Sequence, residues 1–168
     1  MTCTLVNEGT VTYHFTVFPN IALPFAGTLL TVGPGKSATY VWDAAGTDGA
    51  YDFSVHGADG FVRRFAGTVV RDPQRDVAVP SVRATPHGRR PDAARLDLRL
   101  SNDGDTDVRF TIPPNDFGGT AREQWVSARD RDTVAWPTDA YGRYDVTVAV
   151  ADGLTRRYAG TVHPSNRD

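Results

Sequence analysis

Alternation of apolar and polar residues marks several short segments of this chain as β-strands. The run from Tyr51 to Val55 and the run from Tyr144 to Val150 both have a period of two. This spacing is typical of strands with one buried and one exposed face. An Asp-Gly pair follows each run, at Asp59-Gly60 and at Asp152-Gly153, and favours a tight hairpin turn. Each of the two regions is therefore predicted to be a β-hairpin.

The same pattern predicts further strands elsewhere in the chain. They cover Val11–Phe18, Ser37–Trp42, Ala94–Ser101 and Val108–Ile112. The 16 glycines and 11 prolines interrupt the 168-residue chain often, which suits short strands better than long helices. We therefore predict an all-β protein.

Long parts of the sequence occur twice. The segments Tyr51–Val69 and Tyr144–Val162 are identical at 12 of 19 positions. The L-x-N-x-G motif of Leu5–Gly9 returns at Leu100–Gly104, ahead of a similar strand in each case. Such self-similarity indicates two copies of one structural unit.

With six or seven short strands in each copy, the repeat predicts two tandem small β-sandwich domains of immunoglobulin-like type. The polar segment Arg71–Asp76 contains a proline and is typical of a linker, so we place the domains at residues 1–75 and 76–168. The first copy has no counterpart of Val82–Thr85. We therefore expect it to be N-terminally truncated by one strand, with an unpaired edge. On this hypothesis Met1 is an introduced start within a longer protein.

Composition and charge exclude several classes of function. The net charge is −2 and there is no basic run, so nucleic acid is not an expected partner. The single cysteine, Cys3, allows no internal disulfide and no cysteine-rich metal site. The sequence also shows no apolar run near 18 residues and no N-terminal export signal.

The repeated residues resemble a known family. After a tryptophan, each copy carries Y-D-x-x-V, then D-G, then R-R-(F/Y)-A-G, in the segments that begin at Tyr51 and Tyr144. This pattern is similar to the C-terminal domain that occurs as a tandem pair in bacterial phosphocholine-type, non-haemolytic phospholipases C. The resemblance implies a secreted enzyme whose N-terminal catalytic domain hydrolyses phospholipids and is absent from these residues.

For this part of such an enzyme, the resemblance implies a non-catalytic accessory role with no cofactor. The role would be to assist folding, to position the enzyme, or to contact the substrate surface. The expected partners are the N-terminal catalytic domain of the same protein and a phospholipid surface, and the expected location is extracellular.

The residues themselves predict no catalytic site. No Gly-x-Ser-x-Gly elbow is present, and the histidines are scattered along the chain. The candidate metal ligands are Asp103, Asp105 and Asp107, because alternating carboxylates can supply the oxygen ligands that calcium prefers. The run lacks the Gly and Glu positions of an EF-hand loop, and the alternative is a polar hairpin turn.

Two arginine pairs recur on the closing strand, at Arg63-Arg64 and Arg156-Arg157. Arginine is a natural partner of phosphate, so a headgroup site is one interpretation. Neighbours on a strand point to opposite faces, however, and cannot form one clamp. We therefore expect these arginines to pair across the hairpin with Asp52 and Asp145.

Two loops differ between the copies and are the candidates for contact with a partner. The loop Phe18–Gly27 is unusually apolar, whereas its counterpart Pro114–Trp125 is polar with two aromatic residues. Exposed apolar side chains there would suit a lipid surface or the catalytic domain, and covering their own core is the alternative. The candidate contact residues are Ile21, Leu23, Phe25, Phe117 and Trp125.

The alternative function is an independent binding module, for example a carbohydrate-binding or surface-binding β-sandwich, because fold alone does not determine function. Exposed and coplanar Trp or Tyr side chains would favour it. We expect instead that the repeated Trp42 and Trp136 fill the two cores.

Overall fold

The structure is a computed structural model that describes residues 1–21, 26–69, 77–88, 93–151 and 153–162. These residues form fourteen β-strands and one 3-10 turn, Ala45–Thr47, with no α-helix among them. The predicted all-β, sandwich-type fold is confirmed. No helix in the described part of the chain is long and apolar enough to cross a membrane.

The chain divides into two compact units, Met1–Arg71 and Asp72–Asp168. The two hydrophobic cores are built from different residues, one set in each unit. The predicted boundary at residue 75 falls within residues 70–76, which lie outside the described residues. The exact domain limits remain a prediction.

The first unit has six strands in its described part: β1 (Thr2–Val6), β2 (Tyr13–Pro19), β3 (Thr28–Val32), β4 (Ser37–Val41), β5 (Ala50–His56) and β6 (Val62–Thr68). β1 and β4 form a two-stranded antiparallel sheet, and the other strands are paired in the order β3-β2-β5-β6. Buried side chains from both sheets pack into one core: Leu5, Phe15, Val17, Val32, Trp42, Tyr51, Phe53 and Val55.

The described part of the second unit has eight strands: β7 (Pro80–His87), β8 (Arg95–Asn102), β9 (Val108–Ile112), β10 (Pro114–Asp116), β11 (Arg122–Val126), β12 (Arg131–Pro137), β13 (Arg143–Val150) and β14 (Thr155–Thr161). One sheet has the order β12-β8-β7. The other is paired as β11-β9-β13-β14, and β10 pairs with β13. Its core includes Leu96, Leu98, Leu100, Phe110, Ile112, Trp136, Val146 and Val148.

The two units share their strand pairing. β1 pairs with β4 as β8 pairs with β12, and β2, β3, β5 and β6 are connected as β9, β11, β13 and β14 are. β7 has no counterpart among the described strands of the first unit, whereas β10 corresponds to the end of β2, where Pro19 pairs with Phe53 as Pro114 pairs with Val146. β10 was not predicted, and β7 is longer than the predicted Val82–Thr85.

The predicted hairpin turn between β5 and β6 is confirmed. Asp59 and Gly60 have positive φ angles of 55° and 72°, which Asp tolerates and Gly adopts without steric cost. The backbone N–H of Gly57 donates to the carbonyl of Phe61 at 3.0 Å and closes the loop. In the other hairpin, Asp152 lies outside the described residues.

The repeated tryptophans are core residues, as predicted. The exposed fraction of Trp42 is 6%, and that of Trp136 is 0%. The indole N–H of Trp42 donates to the carbonyl of Ala50 at 3.1 Å, so its polar group is bonded within the first core. Neither ring is available as a platform for a ligand.

Candidate functional site

The repeated arginines on β6 are held by the sheet and do not form an open anion clamp. Arg64 makes a bidentate pair with Asp52, with Nε–Oδ1 and Nη2–Oδ2 distances of 2.9 and 2.6 Å. Asn20, just after β2, donates to Asp52 at 2.8 Å and to the Ser54 hydroxyl at 2.9 Å. The other arginine of the pair, Arg63, instead lies over Phe61, with its guanidinium carbon 4.4 Å from the centre of the ring.

The second unit repeats this network. Arg157 bonds to Asp145 at 2.9 and 2.6 Å. Asn115 donates to Asp145 at 2.9 Å and to the Thr147 hydroxyl at 3.0 Å. The predicted cross-strand pairing is confirmed for one arginine of each pair, Arg64 and Arg157, and it ties each hairpin to the segment after its neighbouring strand.

Asn20 and Asn115 were missed by the sequence analysis, although a signal was present. Both follow a proline at matching positions of the repeat: Asn20 comes directly after β2, and Asn115 lies in β10, shortly after β9. The signal is this shared Pro-Asn pair at the start of two loops that otherwise differ.

The network also sets the protonation of its carboxylate. Burial acts to raise the pKa of Asp52, but hydrogen bonds from Arg64 and Asn20 and the positive charge of Arg64 outweigh it. The pKa of Asp52 therefore lies below its ordinary value of 3.8. The same pairing raises the pKa of Arg64.

The three carboxylates proposed as metal ligands lie in the turn after β8. Asp105 forms an ion pair with Arg129 at 2.6 Å, and Asp107 accepts the backbone N–H of Ala128 at 2.9 Å. Within the described residues, no group of three or more His, Cys, Asp or Glu side chains could hold a metal ion, so Asp103 is not joined by its neighbours in such a group. These contacts are those of a polar turn.

The apolar loop of the first unit is described only at its ends. Ile21 is half-buried and packs against the core of that unit, which is the arrangement expected if the loop covers its own core. Leu23 and Phe25 lie outside the described residues. At the near end, Phe18 is 39% exposed and its ring contacts that of His56 edge-on at 5.3 Å.

In the loop of the second unit, Phe117 belongs to a small cluster of aromatic residues around one arginine. The guanidinium of Arg143 lies 4.5 Å from the ring of Phe117 and 5.2 Å from the ring of Tyr141. Arg143 is also paired with Asp139 at 2.7 Å. Phe117 is half-buried, and most of Tyr141 is exposed, so the cluster faces solvent at one end of the sheet.

Trp125 lies on the solvent-facing side of β11 and is 63% exposed. It stands opposite Arg109 on β9, whose guanidinium is 5.9 Å from the indole ring. The corresponding cross-strand pair of the first unit is His14 and Thr31, joined by a 2.9 Å hydrogen bond. The scaffold therefore does not require a tryptophan at this position.

Phe117 and Trp125 lie on separate surfaces. Phe117 follows Asp116, which pairs with Asp145 near the start of β13. Trp125 is next to β9, where Phe110 pairs with Val150 at the end of β13. Asp145 and Val150 are about 17 Å apart along a strand, so the two aromatic residues cannot line one groove.

A groove lies at the far end of the β9–β11 pair. Its volume is about 230 Å³, and it is lined by Thr111, Ile112, Pro113, Ala121, Arg122 and Glu123. Ligand pockets usually enclose roughly 300–1,000 Å³. The exposed face around Trp125 is therefore the stronger candidate for a contact surface.

Comparison with known proteins places these features in context. A family model described as "Bacterial phospholipase C, C-terminal domain" matches residues 1–68 and again residues 76–161. A non-hemolytic phospholipase C from Burkholderia pseudomallei is 31% identical over 148 residues, 82% of this chain and 20% of that protein. A non-hemolytic phospholipase C from Pseudomonas aeruginosa is 30% identical over 167 residues, 95% of this chain and 23% of that protein.

The chain thus spans about a fifth of the length of these relatives. Among solved structures, a DUF3823 family protein from Bacteroides ovatus is 12% identical, with a TM-score of 0.24. That match covers 95% of this chain and 90% of the other, but its TM-score is too low to bear on the fold.

Proposed function

The chain belongs to the family of bacterial phospholipase C C-terminal domains, and we propose that it is a non-catalytic accessory region of a longer, secreted phospholipase C. The polypeptide that carries the catalytic domain is its proposed intramolecular partner. A phospholipid surface is the proposed contact of Trp125. The relatives support the first point, because the matched region is only 20% and 23% of their length.

The contacts of two of the described histidines, His14 and His87, support a non-catalytic role. Nδ1 of His14 lies 2.9 Å from the Thr31 hydroxyl oxygen, and Nε2 of His87 lies 3.2 Å from Asp97. These pairs are spread over different strands, and neither places a histidine against a nucleophile held by a tight turn. The most conspicuous repeated polar groups, the arginine–aspartate pairs, are bonded within the sheets.

The exposed Trp125 beside Arg109 carries the proposal of lipid contact. Tryptophan is enriched at membrane–water interfaces, because its apolar ring and polar N–H suit that boundary. A neighbouring arginine can reach lipid phosphate groups while its stem stays against apolar surface. Since the scaffold tolerates His14 and Thr31 at the matching positions, the Trp-Arg pair is a feature that only the second copy carries.

Vesicle binding tests this contact. We expect the 168-residue chain to co-sediment with phosphatidylcholine vesicles, and Trp125→Thr to weaken that binding about tenfold, roughly the loss expected for one interfacial tryptophan. Thr is the residue at the matching position of the first copy and keeps strand propensity. Tyr141→Thr is the matched control, because Tyr141 is exposed but lies near the other end of β13.

Two results would contradict the lipid contact: no vesicle binding by the unaltered chain, or equal losses for both variants. A hydrolysis assay tests the accessory role separately. We expect the isolated chain to release no phosphorylated headgroup from phosphatidylcholine, and reproducible turnover by the purified chain would overturn the accessory role.

The alternative of a carbohydrate-binding module receives less support. That function usually relies on exposed aromatic rings that share a plane, whereas Trp42 and Trp136 are buried. The exposed Trp125 and Tyr141 lie near opposite ends of β13, so they do not form one platform.

A further inference from the structure

Among the described residues of the first unit, one edge of β1 has no partner strand. The backbone N–H of Asn7 donates to the carbonyl of Lys36 at 2.9 Å, so the odd-numbered residues of β1 bond to β4. Within the described residues, β4 is the one strand paired with β1. Three residues therefore direct their backbone N–H and C=O groups away from β4: Thr2, Thr4 and Val6.

The matching edge of β8 in the second unit is covered by β7. The backbone N–H of Asp103 donates to the carbonyl of Val79 at 3.0 Å, so the odd-numbered residues of β8 bond to β7. In the repeat, these are the counterparts of the even-numbered residues of β1. Both prolines of β7, Pro80 and Pro86, stand opposite even-numbered residues, where no N–H toward β8 is needed.

The buried asparagine of the L-x-N-x-G motif also bonds differently in the two units. The side-chain oxygen of Asn102 accepts the N–H of Gly104 at 3.1 Å and that of Val79, ahead of β7, at 3.1 Å. The side-chain oxygen of Asn7 accepts the N–H of Gly9 at 2.9 Å. At Asn7 the counterpart of the Val79 bond is absent among the described residues.

The glycine of the motif gives a third, steric observation. A Cβ atom on Gly104 would lie 2.2 Å from the carbonyl oxygen of Val77 and 2.5 Å from the nitrogen of Val79. Among the described residues, a Cβ atom on Gly9 would meet only the Asn7 side-chain oxygen, at 3.1 Å. The first unit therefore keeps a glycine where the second unit holds a crossing backbone, and no described backbone lies beside it.

The hydrophobic contacts agree with the polar ones. Tyr158 on β14 is buried, and its hydroxyl donates to the carbonyl of Val82 on β7 at 3.1 Å. Val82 and Ala84 pack against the core of the second unit. Phe65, which matches Tyr158, is only half-buried. An added strand over the first unit would bury more of this ring.

We propose that the open edge of β1 is the docking site of an extended segment that pairs antiparallel with it, in the register that β7 has on β8. The polypeptide directly N-terminal to β1 in the longer phospholipase C proteins supplies this segment, as β7 directly precedes β8. The docked segment bonds to the backbone of Thr4 and Val6, donates an N–H to Asn7 and passes over Gly9. The proposal rests on family membership and on the repeat, and it is independent of Trp125.

Amide hydrogen exchange tests it. The first sample is the 168-residue chain, in which the amides of Thr4 and Val6 should exchange fast while those of Arg99 and Ser101 are protected. The second sample carries a copy of residues 77–95 fused in front of Met1, which reproduces the spacing of the repeat. There we expect exchange at Thr4 and Val6 to slow at least about tenfold. The third sample is the full-length gene product, where the same two amides should be protected.

Gly9→Ala in the extended chain is the control for register. Its methyl group would occupy the space of the crossing backbone, so protection at Thr4 and Val6 should be lost. Unchanged protection in this variant would overturn the register, and fast exchange in both longer samples would overturn the docking site. Protection in the 168-residue chain that rises with protein concentration would show that a second copy occupies the edge, and would overturn the proposed source.

Discussion

Asn102 illustrates how one buried side chain can organise a unit. It is fully buried, and its amide nitrogen donates to the carbonyls of Thr106 at 2.8 Å and Ser127 at 3.2 Å. Its oxygen accepts the N–H of Gly104, in the turn after β8, and the N–H of Val79, ahead of β7. One residue thus connects three segments of the second unit that are far apart in sequence. Asn7 connects two, through the carbonyls of Val11 and Val32.

Replacing these asparagines should therefore have unequal effects. We expect Asn102→Ala to lower the free energy of unfolding of the second unit by about 1–3 kcal/mol, the usual cost of leaving buried groups unsatisfied. Asn7→Ala should cost the first unit less, since fewer groups lose their partner. Urea unfolding followed through amide signals of each unit measures both values. Equal costs would contradict this account, and Ser101→Ala serves as a neighbouring control.

The lowered pKa of Asp52 predicts a specific loss of stability in acid. A carboxyl group whose pKa is lower in the folded state stabilises that state above its unfolded pKa, and this contribution disappears as the pH falls through the folded value. The pKa of Asp52 lies below 3.8, so the loss should begin below about pH 5 and continue beneath pH 3.8. Asp52→Asn should reduce this part of the pH dependence. Thermal unfolding of both proteins between pH 6 and 2.5 checks it, and parallel curves would refute it.

At the scale of strands, the sequence predicted the elements with the clearest alternation. β9 was predicted at its exact limits, and β2, β4 and β8 to within two residues, because each has apolar residues at every second position. β10 has three residues and begins with a proline, so no period could be recognised. Its existence depends on pairing with β13, a contact between distant parts of the chain.

The candidate surfaces were harder to predict than the strands. Phe117 and Trp125 are eight positions apart in one loop region of the sequence, yet they lie near opposite ends of β13. Their separation follows from the order β11-β9-β13, which no local pattern in the sequence specifies. The arginine–aspartate pairs were predictable because hairpin register follows from the turn.

The passage of the segment ahead of β7 across the turn after β8 leads to a prediction at the scale of strands. Gly104→Ala should strongly destabilise the second unit, because its methyl group would overlap backbone atoms at 2.2 and 2.5 Å that cannot move without displacing β7. We expect a loss of roughly 1–3 kcal/mol or more. In the 168-residue chain, Gly9→Ala should change stability by less than about 1 kcal/mol. Urea unfolding of the two variants provides the comparison, and a larger effect at Gly9 would contradict it.

At the scale of the whole molecule, the two cores raise the question of cooperativity. The described residues form one buried cluster around Phe53 and another around Phe110, and the clusters share no member. Contacts within each unit are sufficient to give each its own hydrophobic centre. We therefore retain the prediction of two domains, with limits near residues 1–75 and 76–168.

Core truncations test whether those domains are energetically separate. Phe53 and Phe110 are both 0% exposed, so Phe53→Ala and Phe110→Ala should each cost about 3–5 kcal/mol in the unit that contains the change. Because each ring belongs to one cluster, Phe110→Ala should increase amide exchange in β8, β9 and β13 while β2 and β5 keep their protection. Phe53→Ala should give the reverse pattern. If either variant releases the amides of both units to the same extent, the chain unfolds as one cooperative body and the prediction of two domains is wrong.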